Sequence, residues 1–268
     1  MPEGAEVRLI GEALARNVSG KTLVAVRPLS GRYLKKEPEG LGLLRARLPT
    51  KVVGVGVHGK FLYWISENDV FTYNTLGMTG HWTRGQEKHS RVQFEFSDGT
   101  SVFFTDTRNF GTLKFVPGRQ ALVEKLRSLG PDMLSERVSD DLFSERLDRR
   151  PDWTLGKVLM DQSIVSGVGN YVRAEALYRA RLSPHRKVKS VGPSERAALR
   201  SAIQEVLTTA YARRGASIKD YRDPEGGEGE YSGFFLVYNK GQDPHGNEII
   251  REEAEDGRTI HWVPAVQK

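Results

Sequence analysis

The feature that most constrains the fold is the spacing of apolar residues, which changes part-way along the chain. Between residues 22 and 116 apolar and polar side chains alternate, and Arg91–Phe104 (RVQFEFSDGTSVFF) places an Asp-Gly pair between two such runs. A period of two predicts half-buried strands, and an Asp-Gly pair between two runs predicts a hairpin. The runs VVGVGV and FLYWI flank His58-Gly59-Lys60 in the same way. The sequence therefore predicts a β-rich N-terminal part in which one hairpin turn carries Lys60.

Helical spacing of apolar side chains predicts helices on both sides of this β-rich part. They cover residues 6–18, 119–150 with a break at Gly130-Pro131, 154–166 and 170–181, followed by a helix that begins at Pro193. Residues 223–233 are rich in glycine and acidic side chains, which predicts a mobile loop. The last segment is predicted to form two short strands around an Asp-Gly turn, with Arg258 at the tip of the hairpin.

Composition narrows the possible functions. No run of about 18 apolar residues is present, so no membrane-spanning helix is predicted. The N-terminus has acidic residues where a signal peptide has a basic start. The chain has no cysteine, which excludes disulfides, a thiol nucleophile and cysteine-ligated zinc. Its histidines show none of the usual metal-binding spacings, so neither a metal nor a cofactor is predicted.

The charge of the chain points to a polyanionic partner. Its formal net charge is +6 and its isoelectric point is about 9.4, a value typical of nucleic-acid-binding domains. Such a total is equally compatible with a basic but inert surface. However, basic residues crowd the stretch 179–189 (RARLSPHRKVK), whereas acidic residues are grouped elsewhere. This separation favours one face that binds a polyanion.

The first three residues offer a nucleophile. Initiator methionine is normally removed before a small residue, which would leave Pro2 as a free amine beside Glu3. An α-amino group titrates near 8, against about 10.4 for lysine, so far more of it is unprotonated at neutral pH. A secondary amine that attacks a sugar C1′ gives an iminium ion, which acidifies the C2′ proton and permits elimination. Many chains begin Met-Pro-Glu by chance. These residues therefore indicate a nucleophile only in combination with the other motifs.

Six stretches resemble, in order, motifs of the formamidopyrimidine-DNA glycosylase/endonuclease VIII family. They are MPEGAEV, HGKFLYW, NTLGMTGHW, TDTRNFGTL, LMDQSIVSGVGNYVRAEALYRARLSP and DGRTIHWVPAVQK, and together they extend over essentially the whole chain. Thr107 and Asn109 depart from the family's DPRRFG motif. A second departure is the C-terminal zinc finger, where DPHGNEII and VPAVQ replace the segments that contain the cysteine pairs.

The resemblance implies an α+β fold in three parts. An N-terminal β-sandwich domain with flanking helices would occupy residues 1–130, and a helical domain with a helix–two-turn–helix would occupy residues 131–222. A terminal β-hairpin over residues 223–268 would be the family's zincless finger, held by the packing of Trp262, Val263 and Ala265 rather than by a metal ion.

The resemblance also implies the catalytic residues. Pro2 would be the Schiff-base nucleophile and Glu3 the proton donor to the sugar. Lys60 would contact phosphate and carry protons, and Arg258 would serve lesion binding and δ-elimination. Glu6 matches a family glutamate at the site. From residue type alone, Glu6 could instead favour the helix dipole, and Arg258 would be an exposed hairpin residue.

Further residues are implied to contact the DNA. His89, Arg108, Asn170 and Lys240 would bind DNA, with Asn170 holding phosphate together with the turn amides and the N-terminus of the helix that follows. Met78, Arg108 and Phe110 would fill the gap left when a damaged base is flipped out of the duplex. From residue type alone, Met78 and Phe110 would be core residues and Asn170 a turn former.

The function implied is that of a bifunctional DNA glycosylase and abasic-site lyase of base excision repair. It would act, as an intracellular monomer, on double-stranded DNA that contains oxidised bases or abasic sites. The start PEGAE and the zincless end place the resemblance closer to the endonuclease VIII branch, so oxidised pyrimidines and hydantoins are the predicted substrates. In contrast, LGMTG, GASIKDY and the pair Arg108 and Phe110 resemble the branch that takes oxidised purines. The alternative is a protein that recognises lesions without cutting. Such a protein would not need all four of Pro2, Glu3, Lys60 and Arg258.

Overall fold

The structure is a computed structural model that describes residues 2–217, 227–254 and 257–268. The described residues group into two compact units. The N-terminal unit contains Pro2, Glu6–Arg127 and residues 227–228, and the C-terminal unit contains Glu3–Ala5, Ser128–Ser217 and Gly229–Lys268. The helices after residue 128 and the terminal hairpin thus cluster as one unit, while the three-part division of the chain stays a prediction.

The N-terminal unit is built on antiparallel strands. Helix α1 (Gly4–Val18) buries Val7, Ile10, Leu14 and Val18, the face that helical spacing predicts. The strands are β1 (Thr22–Pro28), β2 (Thr50–His58), β3 (Phe61–Ser66), β4 (Val70–Thr75), β5 (Gly80–Thr83), β6 (Ser90–Phe96), β7 (Ser101–Asp106) and β8 (Thr112–Pro117). Short helices α2 (Arg32–Lys35) and α3 (Leu41–Arg45) separate β1 from β2, and α4 (Arg119–Arg127) follows β8.

These strands fold into a β-sandwich, as predicted. Their order is β5-β7-β6-β1-β2-β3-β4-β8, and β1 meets β2 through only the pairs Thr22↔Lys51 and Leu23↔Thr50. The sheet turns over at this narrow junction, so that its two halves face each other around an apolar core. Trp64 on β3 lies 4.9 Å from Phe94 on β6, measured between ring centroids.

Both predicted hairpins in this unit are confirmed. His58 pairs with Phe61, so Gly59 and Lys60 form the two-residue turn between β2 and β3. Gly59 has a φ of 57°, a left-handed conformation that such tight hairpin turns require and that glycine adopts freely. The second hairpin joins β6 to β7 through Asp98-Gly99, and the φ of Gly99 is 80°. Local turn chemistry therefore fixes the position of Lys60.

The C-terminal unit is helical with a terminal hairpin. Its elements are α5 (Asp140–Asp148), α6 (Leu155–Val158), α7 (Asn170–Arg179), α8 (Pro193–Ala212), β9 (Ile250–Glu253) and β10 (Thr259–Trp262). Helix α8 begins at Pro193, as predicted, and buries one apolar face. Strands β9 and β10 pair as the predicted hairpin, and Arg258 directly precedes β10. No helix in the part of the chain that the structure describes is long and apolar enough to cross a membrane.

Two predictions from spacing were wrong in extent. The helix predicted over residues 154–166 ends at Val158, and turns follow it. Asp161 explains this end, because its carboxylate accepts hydrogen bonds from the backbone N–H and hydroxyl of Ser163 and so competes with helical bonding. The loop predicted over residues 223–233 lies in part outside the described residues. Within the described part, Tyr231–Phe234 form a 3-10 helix rather than a loop.

Candidate active site

Glu3 is anchored on the N-terminus of a helix. Its side chain is 2% exposed, and its carboxylate accepts the backbone N–H groups of Tyr171 at 3.0 Å and Val172 at 3.2 Å. These amides belong to the first turn of α7, where N–H groups have no partner within the helix and the helix dipole favours a negative charge. The residue that follows Pro2 is therefore fixed as a buried carboxylate. Because Glu3 occupies these two amides, they are not the phosphate ligands that the sequence predicts.

The glycines of the GVGN turn make room for this anchor. A Cβ on Gly169 would lie 2.2 Å from the Cδ of Glu3, although the φ of Gly169, −127°, suits any residue. Gly167 has a φ of 96°, and its carbonyl accepts the backbone N–H of Gly4 at 2.9 Å. A Cβ on Gly4 would in turn lie 2.9 Å from the Cα of Gly167. The turn between α6 and α7 is thus shaped to hold the start of the chain.

Asn170 connects this turn to the terminal hairpin. Its Nδ2 donates to the carbonyl of Thr259 at 3.0 Å, and its Oδ1 accepts from the buried guanidinium of Arg173. The hydroxyl of Tyr238 is also hydrogen-bonded to the Asn170 side chain, and burial raises the pKa of Tyr238, so it is neutral at physiological pH. Since Arg258 directly precedes Thr259, the structure brings Asn170 close to the backbone of Arg258. The contact of Asn170 with phosphate stays a prediction.

Glu175 holds Tyr238 in this cluster, and the sequence reasoning missed both residues. The carboxylate of Glu175 is fully buried and accepts the backbone N–H groups of Leu236 at 3.0 Å, Val237 at 2.9 Å and Tyr238 at 2.9 Å. Arg179 donates to the same carboxylate at 2.7 Å. The one available signal was an acidic residue on a helix whose neighbours in the sequence are apolar. This signal does not reveal which backbone groups the carboxylate binds.

The terminal hairpin is held by hydrogen bonds as well as by packing. Asp243 accepts the backbone N–H groups of His245 at 2.9 Å and Asn247 at 2.8 Å, and the hydroxyl of Tyr178 at 3.0 Å. Burial raises the pKa of Asp243, but hydrogen bonds from Asn247, Tyr178 and His245 outweigh burial and lower it to about 2. Asp243 is therefore a charged hub that closes the segment DPHGN on itself.

The second half of the hairpin base depends on Gln267. Its side-chain oxygen accepts the backbone N–H of Val263 at 2.7 Å, and its amide donates to the carbonyl of Leu182 at 2.8 Å. Val263 is fully buried, as predicted, and Trp262 is half-buried. In contrast, Ala265 is exposed, so the prediction that it packs in the hairpin was wrong. Ala265 lies in the turn after Val263 that returns the chain to Gln267, and its side chain faces solvent.

The residues present do not fit the zinc ion of the family's finger. Val263 and Val266 stand in the VPAVQ segment, and their aliphatic side chains offer no metal donor. Among residues 2–217, 227–254 and 257–268, no three His, Asp or Glu side chains are arranged to hold a metal ion. Asp243 binds backbone N–H groups and a hydroxyl, which are donors and leave no role for a cation there.

In the N-terminal unit, the predicted catalytic residues occupy ordered positions. Pro2 is buried and lies two residues before the start of α1, and Glu6 is 1% exposed in the first turn of that helix. Lys60 is half-buried in the turn between β2 and β3. A buried carboxylate at Glu6 is unusual for a residue that only favours the helix dipole, because such residues are normally solvated. Its burial favours a role at the site, and that role stays a prediction.

Met78, Arg108 and Phe110 lie together on the surface, and we call these three residues the wedge. Phe110 is 56% exposed and Met78 38% exposed, so neither is the core residue that its type alone suggests. The guanidinium of Arg108 lies 5.1 Å from the centroid of the Phe110 ring. The backbone of His89 is bonded to the chain two residues before Arg108, because its carbonyl accepts the backbone N–H of Asp106 at 3.0 Å. Two large exposed apolar side chains and a cation are suited to insertion into a stack of bases.

The basic face predicted from residues 179–189 is in part neutralised. Arg179 pairs with Glu175, Arg186 pairs with Glu195 at 2.6 Å, and Lys189 pairs with Asp152 at 2.7 Å. These acidic partners are distant in the sequence or lie on a neighbouring helical turn, so grouping charges along the sequence does not reveal them. Lys240 is exposed, and Arg251 holds its backbone by donating to its carbonyl at 2.8 Å.

Comparison with known proteins agrees with this fold and site. Three family models match: the formamidopyrimidine-DNA glycosylase N-terminal domain over residues 1–113, its H2TH domain over residues 129–222 and its C-terminal domain over residues 229–268. Formamidopyrimidine-DNA glycosylases from Heliobacterium modesticaldum and Halalkalibacterium halodurans are each 33% identical to this chain, with 100% of both chains covered.

Solved structures of formamidopyrimidine-DNA glycosylases also match this chain. The MutM (Fpg) protein of Thermus thermophilus matches with a TM-score of 0.87 and 32% identity, covering 99% of this chain and 98% of that one. The Lactococcus lactis Fpg mutant G226P, in complex with DNA that contains Fapy-dG, matches with a TM-score of 0.87 and 25% identity over 100% of both chains. The fold and these matches are those of a DNA glycosylase of base excision repair. The chain belongs to the formamidopyrimidine-DNA glycosylase family.

Proposed function

We propose that this enzyme removes an oxidised base from duplex DNA and then cleaves the strand at the resulting abasic site. The observation that carries the proposal is the anchoring of Glu3. Its carboxylate directly follows Pro2 in the chain and is fixed by two helix N–H groups at 3.0 Å and 3.2 Å. A nucleophile next to a rigidly held acid–base group is the arrangement that imine chemistry at a sugar requires. We further propose that the enzyme acts as a monomer in the compartment that holds the DNA.

The chemistry starts at the free amine of Pro2. Its nitrogen lone pair forms a bond to C1′ of the deoxyribose, the bond from C1′ to the base breaks, and the base leaves with a proton taken up from water. The ring bond from C1′ to O4′ then breaks while O4′ takes up the proton that the Pro2 nitrogen loses, and an iminium cation forms at C1′. The resulting iminium cation acidifies the C2′ proton, and loss of this proton breaks the C3′–O bond in β-elimination. A second elimination breaks the C5′–O bond, and water then hydrolyses the imine and frees Pro2.

Glu3 is suited to particular steps of this sequence. Two N–H donors stabilise its carboxylate form, which can accept the C2′ proton and stabilise the neighbouring iminium cation. Its predicted role as a proton donor to the sugar belongs to the earlier ring opening, where it passes the proton of the Pro2 nitrogen to O4′. In this proposal Glu6 assists at the site, and Lys60 and Arg258 hold the phosphates beside the extruded nucleotide as cations.

The remaining residues bind the duplex. His89, Lys240 and Asn170 contact the DNA backbone, and the hydroxyl of Tyr238, which is hydrogen-bonded to Asn170, extends that contact surface. The wedge fills the space that the extruded base leaves. Unstacking a base costs about a few kcal/mol, and inserted side chains offset part of this cost.

Borohydride trapping tests the nucleophile. Reduction during reaction with an abasic-site duplex should yield a covalent protein–DNA adduct that contains the N-terminal peptide. Protein that retains Met1 or carries a short N-terminal extension should give no adduct, because its Pro2 nitrogen is part of an amide. Lys60→Ala should still form the adduct. If the extended protein formed an adduct, the nucleophile would be a lysine rather than Pro2, which would contradict the proposal.

Two substrate classes remain, and we propose oxidised purines as the main class. The relatives carry the formamidopyrimidine name, and the DNA bound in the Lactococcus structure contains Fapy-dG. The exposed Arg108–Phe110 pair agrees with this branch of the family. Oxidised pyrimidines and hydantoins are the second candidate, favoured by the PEGAE start and by a hairpin base without zinc donors.

A panel of duplexes, each with a single lesion, discriminates between these substrate classes. With enzyme in excess over DNA, we expect single-turnover excision to be faster for 8-oxoguanine and formamidopyrimidine lesions than for oxidised pyrimidines. A duplex with a preformed abasic site serves as the control for the lyase step. Faster excision of oxidised pyrimidines or hydantoins would instead place the enzyme with the endonuclease VIII branch.

A further inference from the structure

The wedge is carried by two separate loops, and a buried carboxylate joins them. Asp106 is fully buried; one oxygen of its carboxylate accepts the hydroxyl of Thr79, and the other accepts the backbone N–H of Gly111 at 2.7 Å. The Thr79 oxygen in turn accepts the backbone N–H of Arg108 at 3.0 Å. Thr79 follows Met78 in the chain, and Gly111 follows Phe110. One carboxylate and one hydroxyl thus connect the backbones that present all three wedge side chains.

Arg91 also stabilises the two loops, through hydrogen bonds to the backbone of residues 106 and 107. It is 9% exposed, and its Nε donates to the carbonyl of Asp106 at 2.8 Å. Its two terminal nitrogens donate to the carbonyl of Thr107 at 3.2 Å and to the hydroxyl of Ser30 at 3.0 Å. A buried carboxylate is costly unless hydrogen bonds compensate it, and Thr79 and Gly111 supply such bonds to Asp106. Arg91 holds the backbone carbonyls of Asp106 and Thr107 and so fixes the start of the loop that carries Arg108.

The two loops also touch through their backbones. A Cβ on Gly77, whose φ is 62°, would lie 2.7 Å from the backbone nitrogen of Gly111. Asn109 has a φ of 59°, a left-handed conformation that asparagine adopts more readily than most residues. This preference gives a physical reason for asparagine at a position where the sequence departs from the DPRRFG motif. The wedge side chains are exposed, but the backbone that carries them has little freedom.

We propose that Asp106 and Thr79 are positioning residues that set the geometry of the wedge before DNA binds. The proposal rests on the proposed function of the wedge in filling the space left by an extruded base. Large exposed side chains on mobile loops would have to be ordered during insertion, and that ordering has an entropic cost. A preset wedge avoids part of this cost. The network therefore speeds base extrusion, and it has no part in cleaving an abasic site, where no base has to leave the stack.

Thr79→Val tests the proposal, because valine has nearly the same shape but lacks the hydroxyl. We expect single-turnover excision from a lesion-containing duplex to fall about tenfold, the usual effect of one lost hydrogen bond. Cleavage of a preformed abasic-site duplex should keep the parent rate. Thr79→Ser retains the hydroxyl and should restore excision. Equal losses on both substrates, or no loss of excision, would overturn the proposal.

Thr83→Val is the matched control. Thr83 lies on the neighbouring strand β5, where its hydroxyl donates to the carbonyl of Gly85 at 2.8 Å and contacts the hydroxyl of Thr105 at 3.3 Å, but bonds to neither Asp106 nor Arg108. Its loss should change neither rate. If Thr79→Val does not fold, as judged by thermal melting, Thr79→Ala removes the hydroxyl without adding a methyl group in its place. A tenfold loss of excision with Thr83→Val as well would overturn the specific role of Thr79.

Phe110→Ala separates this proposal from the function on which it rests. If excision is slow in Phe110→Ala but normal in Thr79→Val, the wedge fills the space left by the base as proposed, but Thr79 does not position it. Normal excision by Phe110→Ala would overturn the function of the wedge itself, whatever Thr79→Val shows. Slow excision by both variants, with abasic-site cleavage intact, is the result that the structure leads us to expect.

Discussion

Glu3→Gln should reduce base excision by about 10²–10⁴-fold, the range for loss of a positioned acid–base group. The carboxylate accepts two backbone N–H groups, from Tyr171 and Val172. A glutamine amide keeps only one oxygen acceptor, and its NH₂ group would face an N–H donor. The variant therefore loses both the proton acceptor and the anchor of that acceptor on α7. Single-turnover excision with fully processed protein measures the effect.

Gly169→Ala separates the position of Glu3 from its chemistry. An alanine Cβ would lie 2.2 Å from the Cδ of Glu3, so the carboxylate must move although its chemistry is unchanged. We expect a comparable loss of excision in this variant. Glu124→Gln, at an exposed position on α4, is the control and should match the parent. If Glu3→Gln lowers the melting temperature but excises at the parent rate, then Glu3 is only a helix cap.

The second large effect is expected on stability. Glu175→Gln should lower the free energy of unfolding by about 3 kcal/mol, because it breaks a buried pair with Arg179 and weakens three backbone hydrogen bonds. For a chain of this size such a loss lowers Tm by several degrees. The segment 236–238 should loosen with it, so that binding to abasic-site DNA weakens through displacement of Tyr238.

Glu205→Gln is a matched control for this variant. Glu205 also faces Arg179, at 3.8 Å, but its side chain is 66% exposed. An exposed ion pair contributes about 0–1 kcal/mol, so Tm should change little. Thermal melting and DNA-binding isotherms of both variants measure the contrast. Equal shifts of Tm in the two variants would show that the buried hydrogen bonds of Glu175 add nothing to the ion pair.

Local patterns in the sequence predicted local structure well. The turn that carries Lys60 and the apolar face of α1 both follow from spacing, because neighbouring residues along the chain decide them. The position of Met78 and Phe110 on the surface did not follow from residue type. The resemblance to a family predicted this position instead. Residue type could not, because an apolar residue is the same in the sequence whether its side chain is exposed or buried.

Contacts between distant residues could not be predicted in the same way. Glu175 binds the backbone N–H of Tyr238, 63 residues further along the chain. Asp243 binds the hydroxyl of Tyr178, 65 residues away. Periodicity indicates that a helix face is buried, but it does not indicate which backbone N–H groups a buried carboxylate will meet. The early end of α6 has a related cause, because the Asp161 side chain overrides the apolar spacing that predicts a longer helix.

The hydrogen bonds of Asp243 take the place of metal ligands in the terminal hairpin, and this matters for its sensitivity to oxidation. Cysteine thiolates are readily oxidised, and a finger that depends on them loses its ligands when that happens. The hairpin that carries Arg258 is held instead by a carboxylate and by the amide of Gln267, in a chain with no cysteine. Neither group reacts with peroxide under conditions that oxidise thiols. The base of this hairpin therefore contains no thiolate that peroxide could oxidise.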